Sequence, residues 1–208
     1  ETLVERAAAL GYPALALLDA DGVYGAPRFH KAAKQAGLRA IIGAELTISN
    51  SQFPTPNAQL PRSWTLPVLV ESQGGYQNLC GLVTRMKMRA AKGEGALALQ
   101  ELEGCTGGLV AIGGRPLLDA RHHGVGGLLD RLVGLFGRTN VCVELQRHML
   151  RDEEADNASL IAMAAAYRVP VIATNGVRFA EPADRPLFDV LTCVHHNTTL
   201  DQAGPPVG

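Results

Sequence analysis

The apolar residues of this chain fall into short runs that alternate with longer stretches of helical periodicity. The run from Ala14 to Leu18 is bounded by Pro13 and Asp19, a pattern typical of a buried parallel strand. Similar runs predict further strands near residues 41–46, 67–70, 108–112, 141–145 and 170–173. The chain therefore carries six candidate strands.

Between these runs, apolar side chains recur at spacings of three and four residues. This spacing predicts helices over 2–10, 27–36, 75–92, 126–136, 152–167 and 181–194, and a short helix over 97–102. The segment 49–63 is rich in Ser, Pro, Asn and Gln, which indicates a surface loop. Strands that alternate with helices imply right-handed crossovers between parallel strands, so we expect a parallel α/β fold.

The composition is that of an ordinary globular domain. The chain has 208 residues, of which 47% are apolar and 19% are charged, and its formal net charge is -1. This balance does not indicate a nucleic-acid-binding surface, because such surfaces are usually distinctly basic. Four scattered cysteines and the lack of an 18-residue apolar run favour a cytoplasmic protein with no membrane span.

Polar side chains follow several of the predicted strands. Asp19 and Glu45 end neighbouring strands of one β-α-β unit, and His148 and Asn175 follow two later strands. Because the C-terminal ends of parallel strands share one rim, we expect these four residues to converge there. Carboxylate and imidazole ligands on one rim are suited to divalent metal ions that hydrolyse phosphoesters.

Five segments resemble the PHP domain of bacterial C-family DNA polymerases, the group that contains the polymerase III alpha subunit and its error-prone relatives. In chain order, they are LLDADGVYGAPRFHKAAKQAGLRAIIGAEL, VESQGGYQNLCGLVTR, VELQRHMLRDEEADN, ATNGVRFAEPADRP and DVLTCVHHNTTLD. The resemblance implies a distorted parallel (β/α)7 barrel over residues 1–202. The strand that carries a His-x-His motif in the family is missing here, which would leave two sheet edges exposed.

The resemblance also implies that the chain is cut from a longer protein. The sequence opens without Met directly in a helical pattern, and residues 203–208 would form a tail toward absent polymerase domains. DNA would be bound by the parent polymerase, whose other domains would lie in cis. The parent would use Mg²⁺, whereas we expect no cofactor in this fragment.

Most of the family's metal ligands are replaced in this chain. Ala20 stands where the family motif has a histidine, and Thr65 aligns with another. The motif Thr-Asn-Asp-Val-His is Thr174-Asn175-Gly176-Val177-Arg178 here. Only Glu45 and His148 keep the ligand type, and two ligands do not hold a polynuclear cluster. Asp19 is interpreted either as a former rim residue or as a turn or helix-capping carboxylate.

Two functions follow as hypotheses. The first is a polymerase PHP domain whose degenerate metal site serves as a structural scaffold, and the second is a metal-dependent phosphoesterase or 3'–5' exonuclease. A permanent cation can take the place of lost metal ions, so we expect Arg178 to pair with Glu45 or Asp19.

Two groups of basic or titratable residues have open interpretations. Four cations lie close together near the end of one predicted helix: Arg85, Lys87, Arg89 and Lys92. They are interpreted either as stabilising the helix C-terminus through its dipole or as contacting a DNA phosphate. His122 and His123 are expected in a solvated loop.

Overall fold

The computed structural model describes residues 1–49, 63–91, 94–118, 127–151 and 153–202. Several predictions fall outside these ranges: residues 50–62 of the predicted loop, His122 and His123, and the tail 203–208. Predicted helix ends at Lys92, Gly126 and Asp152 also lie outside them.

The described elements follow the predicted order closely. The strands are β1 (Ala14–Ala20), β2 (Arg39–Ser49), β3 (Ser63–Val70), β4 (Leu97–Ala98), β5 (Leu109–Gly113), β6 (Val141–Leu145) and β7 (Val171–Ala173). The helices are α1 (Thr2–Ala9), α2 (Ala26–Gln35), α3 (Gln73–Met88), α4 (Gly127–Phe136), α5 (Glu153–Tyr167) and α6 (Arg185–His196). The predicted helix over 97–102 is in part wrong, because Leu97–Ala98 forms β4 and a 3-10 helix covers Leu99–Leu102.

The seven strands form one curled half-barrel sheet in a mixed α/β fold, with the order β1-β2-β3-β5-β6-β7 and with β4 paired to β2. The prediction that all strands are parallel is wrong for β3. This strand runs antiparallel to both of its neighbours, β2 and β5. The physical reason is that no helical pattern separates β2 from β3, so the chain returns directly beside β2 and reverses its direction.

The sheet has two free edges among the described strands. The edge strand β1 pairs with β2, and the opposite edge strand β7 pairs with β6. The backbone groups on the outer sides of β1 and β7 therefore have no partner strand among the described residues.

One face of the sheet packs against the helices. Ala44, Leu46 and Ile48 of β2 are buried there in the main core, together with Leu79 and Leu82 of α3. A second cluster joins α1, α2 and the β1 side of the sheet. Because successive side chains of a strand alternate between faces, the residues between these core positions point to the other face. This second face carries the cleft described below.

A membrane span requires a helix of sufficient length and apolar character. Among the residues that the structure describes, no helix combines the length and apolar character needed for a span.

Candidate functional site

A cleft of about 440 Å³ lies against the sheet face opposite the main core. Its wall combines side chains from β2, β3 and β6 with residues that follow β5, β6 and β7. The titratable and charged groups in this wall are Glu45, Arg115, Glu144, His148, Glu153 and Arg178. Thr65, for which the family resemblance implied the place of a histidine, also lines the cleft.

An ion pair crosses this cleft. Nη2 of Arg178 lies 3.7 Å from Oε1 of Glu45, and the side chains are 56% and 28% exposed, respectively. Glu45 belongs to β2, whereas Arg178 follows β7, and three strands separate these two in the sheet. The predicted pairing of Arg178 with a rim carboxylate is therefore confirmed for Glu45.

Asp19 lies at the same end of the sheet, but its carboxylate does not join Glu45. In the β1–β2 ladder, Asp19 is opposite Ala44 and Ala20 is opposite Glu45, so Asp19 shares a face with a core residue. Oδ2 of Asp19 accepts a hydrogen bond of 2.7 Å from the backbone N–H of Gly25, just before α2. Asp19 therefore lies at the predicted end of the sheet, but its side chain is on the opposite face from Glu45. Its hydrogen bond with Gly25 agrees with the interpretation of Asp19 as a turn carboxylate.

The sequence interpretation missed Asp21. Its carboxylate accepts hydrogen bonds from the backbone N–H and the hydroxyl of Thr47, at 2.7 and 2.8 Å. The backbone N–H of Asp21 donates to the carbonyl oxygen of Glu45 at 2.9 Å. With a φ of 49°, Asp21 turns the chain out of β1 while its side chain remains bound to β2. An Asp followed by Gly after a strand was the available signal.

His148 is held by a buried carboxylate. Oε2 of Glu153 accepts hydrogen bonds from the backbone N–H groups of His148 and Leu150, at 2.7 and 3.0 Å. Oε1 of Glu153 lies 3.1 Å from Nδ1 of His148, and Nε2 of the same ring lies 3.4 Å from the carbonyl oxygen of Asn175. Both ring nitrogens therefore face oxygen atoms of the protein.

The same contacts set the ionisation of Glu153, whose residue exposure is 5%. Desolvation alone would raise the pKa of Glu153. The hydrogen bonds from Leu150 and His148 and the attraction of the His148 ring outweigh this effect, so the pKa of Glu153 is lowered. Glu153 was not singled out from sequence, although a carboxylate in the first turn of a helix five residues after His148 was a usable signal.

Glu144 is a further cleft carboxylate that sequence interpretation missed. It alternates with the buried residues Val141 and Val143 of β6, which places it on the cleft face. Its Oε1 accepts a short hydrogen bond from the hydroxyl of Thr174. Gly176 follows with a φ of 54°, and a Cβ at this position would lie 3.5 Å from Nε2 of Gln146.

The cleft does not gather a metal-binding set of side chains. Within the described ranges, no three or more His, Cys, Asp or Glu side chains are grouped so that they could hold a metal ion. Glu45, Glu144 and Glu153 instead bind an arginine, a threonine and a histidine, respectively. Each of these three carboxylates therefore has a hydrogen-bond or ion-pair partner from the protein itself.

The basic end of α3 is used internally. The guanidinium of Arg89 binds both carboxylate oxygens of Glu101, at 2.6 and 2.8 Å, and also donates to the carbonyl oxygen of Ala96. Arg85 donates to the carbonyl oxygen of Glu101 at 3.1 Å. These cations join α3 to the segment around β4, an internal role that neither sequence interpretation had assigned.

Comparisons with known proteins identify related sequences. The model of the PHP domain family matches residues 1–148. An error-prone DNA polymerase of Anaeromyxobacter sp. (strain K) is 38% identical over 209 residues, which cover 98% of this chain and 17% of that protein. An error-prone DNA polymerase of Mycolicibacterium paratuberculosis is 34% identical over 213 residues, covering 98% of this chain and 19% of that protein. The chain thus spans less than one fifth of these relatives.

A solved structure shares the fold. The crystal structure of a proposed metal-dependent phosphoesterase from Bifidobacterium adolescentis aligns with a TM-score of 0.59 and 13% sequence identity. The alignment covers 87% of this chain and 83% of that chain.

Proposed function

Because this chain belongs to the PHP domain family, we propose that it is the PHP domain of a DNA-directed DNA polymerase of the alpha-subunit or error-prone type. The observation that carries this proposal is the 34–38% identity to error-prone DNA polymerases along 98% of the chain. The parent would act in replication or damage-tolerant synthesis in the cytoplasm. It would bind DNA and use Mg²⁺ in domains outside this chain.

In this parent, the domain is proposed to act as a structural scaffold with a degenerate metal site. The partners of Glu45, Glu144 and Glu153 support this role, since each carboxylate already has a donor or a cation from the protein. Ala20, Gly176 and Arg178 lack the metal-ligand chemistry that the family motifs place there. The remaining ligand types, Glu45 and His148, are too few for a polynuclear site.

A scaffold needs surfaces on which the other polymerase domains rest. Three apolar residues of α6 are exposed: Leu187 by 63%, Leu191 by 57% and Val194 by 72% of the residue surface. Their spacing places them along one stripe of the helix, which is the arrangement expected for packing against another domain. This stripe supports the proposed contact with the remaining domains in cis.

The second candidate is a metal-dependent phosphoesterase or 3'–5' exonuclease. The observation in its favour is that Glu45, Glu144 and His148 line one cleft, where oxygen and nitrogen ligands are available. The ion pair of Arg178 with Glu45 argues against it, because a fixed guanidinium repels a divalent cation at this place.

The two candidates are separated by assays on the full-length protein that contains this domain. Primer extension with Mg²⁺ and degradation of single-stranded DNA with Mn²⁺ or Zn²⁺ are measured for the wild type and for Glu45→Gln/His148→Ala. The scaffold proposal expects primer extension by both proteins and no degradation by either. Metal-dependent 3'–5' degradation by the wild type that disappears in the variant would establish the second candidate, and a lack of primer extension by the wild type would refute the polymerase assignment. The variant Arg147→Ala, which alters an exposed residue near the cleft, serves as the control.

A further inference from the structure

The last strand and helix of the domain are attached to the rest by few backbone and core contacts. The strand β7 has three residues and pairs along one side with β6. Val171, on the face of β7 that should be covered by helices, is exposed. Among the described side chains of α6, Cys193 is the one that is buried. Within the described part of this chain, hydrophobic burial therefore does little to fix the position of this unit, β7 and α6.

Two ion pairs reach from this unit to the opposite edge of the sheet. Arg178 pairs with Glu45 of β2 across the cleft at 3.7 Å. Three residues later, Oε1 of Glu181 lies 3.2 Å from Nε of Arg6 in α1, the helix that leads into β1. Since β1 and β2 form one end of the strand order and β7 forms the other, both ion pairs span the opening of the half-barrel.

The segment that carries these charges is fixed to α6. The rings of Phe179 and Phe188 pack with their centroids 6.0 Å apart at an angle of 50°. The backbone N–H of Glu181 donates to Oδ2 of Asp184 at 3.2 Å, and the backbone N–H of Asp184 donates to the carbonyl oxygen of Glu181 at 2.9 Å. A displacement of residues 178–181 therefore moves the start of α6 with it.

From this arrangement we infer that Arg178 and Glu181 form an ionic clasp that holds β7 and α6 against the opposite edge of the open sheet. Each ion pair alone is weak, because its side chains are 28–56% exposed to solvent. The two ion pairs act together because they start from one segment, residues 178–181. The pair of Arg178 holds β7 and α6 on the side of the cleft, and the pair of Glu181 holds them on the side of α1. The clasp thus takes the mechanical role that strand pairing between β1 and β7 would have in a closed barrel.

An ionic clasp of exposed groups opens when salt screens its charges. The opening is local: it releases β7 and α6, while β2 and β3 stay paired through their long ladder, which runs from Gly43 to Ser49 on β2. The clasp is a property of the fold and does not depend on the polymerase assignment.

Hydrogen exchange measured by mass spectrometry in the full-length protein tests the clasp. In Arg178→Gln/Glu181→Gln, we expect peptides from 171–202 to exchange roughly 3- to 10-fold faster than in the wild type, because two exposed ion pairs are lost. Peptides from β2 and β3 are expected to be unchanged. The control is Arg147→Gln/Glu154→Gln, which removes an ion pair of 2.9 Å that stays on the β6–α5 side of the sheet. The wild type in high salt is expected to match the clasp variant.

Two outcomes overturn the inference. One is exchange in 171–202 that does not exceed that of the control variant. The other is faster exchange spread over the whole domain, which indicates general destabilisation. The double variant Arg6→Glu/Glu181→Arg swaps the two charges and keeps an ion pair at this position. This variant is therefore expected to retain the slow hydrogen exchange of residues 171–202. Loss of protection in this variant contradicts the clasp even if the first variant behaves as expected.

Discussion

The carboxylate of Asp21 accepts two hydrogen bonds from Thr47: one from the backbone N–H of Thr47 at 2.7 Å and one from the hydroxyl of Thr47 at 2.8 Å. On this edge of β2, the ladder with β1 ends at Glu45 and the ladder with β4 begins at Ile48. The side chain of Asp21 thus fills the place between two ladders and satisfies a backbone donor that neither strand reaches.

Replacement of Asp21 by alanine should destabilise the domain. Thr47 would lose an acceptor for its backbone N–H and its hydroxyl would lose a partner, and a lost partner of a partly buried group costs about 1–3 kcal/mol. Urea unfolding at neutral pH measures the change. The control is Asp21→Asn, because asparagine keeps a carbonyl oxygen and tolerates the positive φ of this position. A destabilisation by Asn as large as that by Ala would contradict the role given to the side-chain oxygen.

The start of α3 should not tolerate a methyl group at Gly75. A Cβ there would overlap the carbonyl group of Gly108, which belongs to the backbone and cannot move aside without displacing the chain. We expect Gly75→Ala to cost about 3 kcal/mol or more in the free energy of unfolding. The matched control is Gly81→Ala in the same helix, where a Cβ meets nothing within 4 Å and should stabilise by about 0.5–1 kcal/mol. Equal changes in the free energy of unfolding for Gly75→Ala and Gly81→Ala would contradict the close approach of Gly75 to the carbonyl group of Gly108.

Glu101 should make stability depend on acid pH. The bidentate hydrogen bond with Arg89 is the main reason that the pKa of Glu101 lies below its ordinary value of 4.5; desolvation opposes it, and the backbone N–H of Ala98 assists it. Because the folded-state pKa is lowered, the stabilisation is complete above about pH 4.5 and disappears as the pH falls through the lower folded value.

The variant Glu101→Gln isolates this contribution. We expect it to lower stability by about 1–2 kcal/mol at neutral pH, since charge-assisted hydrogen bonds are lost. The difference from the wild type should shrink as the pH falls below 4.5, as measured by denaturant unfolding at a series of pH values. A difference that stays constant down to acid pH would contradict the assigned cause.

Metal binding should be weak. We expect less than one tightly bound Zn²⁺ or Mn²⁺ per chain after dialysis, because Glu45 and His148 are already engaged with Arg178 and Glu153. Elemental analysis of the purified protein measures this ratio, with addition of Mn²⁺ to the dialysed protein as a second condition. Two or more ions per chain would defeat the proposal of a degenerate site.

The sequence predicted where the strands lie better than how they run. Apolar runs mark burial, so the positions of β1, β2, β5 and β6 followed directly from the pattern. Strand direction depends on the connection, and the apolar run of β3 is the same whether it is parallel or antiparallel. The lack of a helical pattern between β2 and β3 was the one signal of reversal.

The site was predicted in part for a similar reason. Position at a strand end identified Glu45 and His148, but it does not specify the face of the sheet. Asp19 is two residues from Leu17, which packs against the α1–α2 cluster, so strict alternation would have placed Asp19 on that face. The spacing of five residues made Glu153 a candidate partner of His148, but the pairing itself also depends on the turn at Met149, with its φ of 63°, which brings the two together.

The two sheet edges that are unpaired among the described strands, those of β1 and β7, have a consequence for the behaviour of the domain in concentrated solution. The edge strands β1 and β7 run in the same direction, because β3 reverses the chain twice between them. The β1 edge of one molecule can therefore pair with the β7 edge of another and continue the same parallel sheet. Such a head-to-tail contact uses two different surfaces and does not close on itself, so it repeats from molecule to molecule. When the clasp is open and these edges meet, linear polymers rather than a discrete dimer are the expected product.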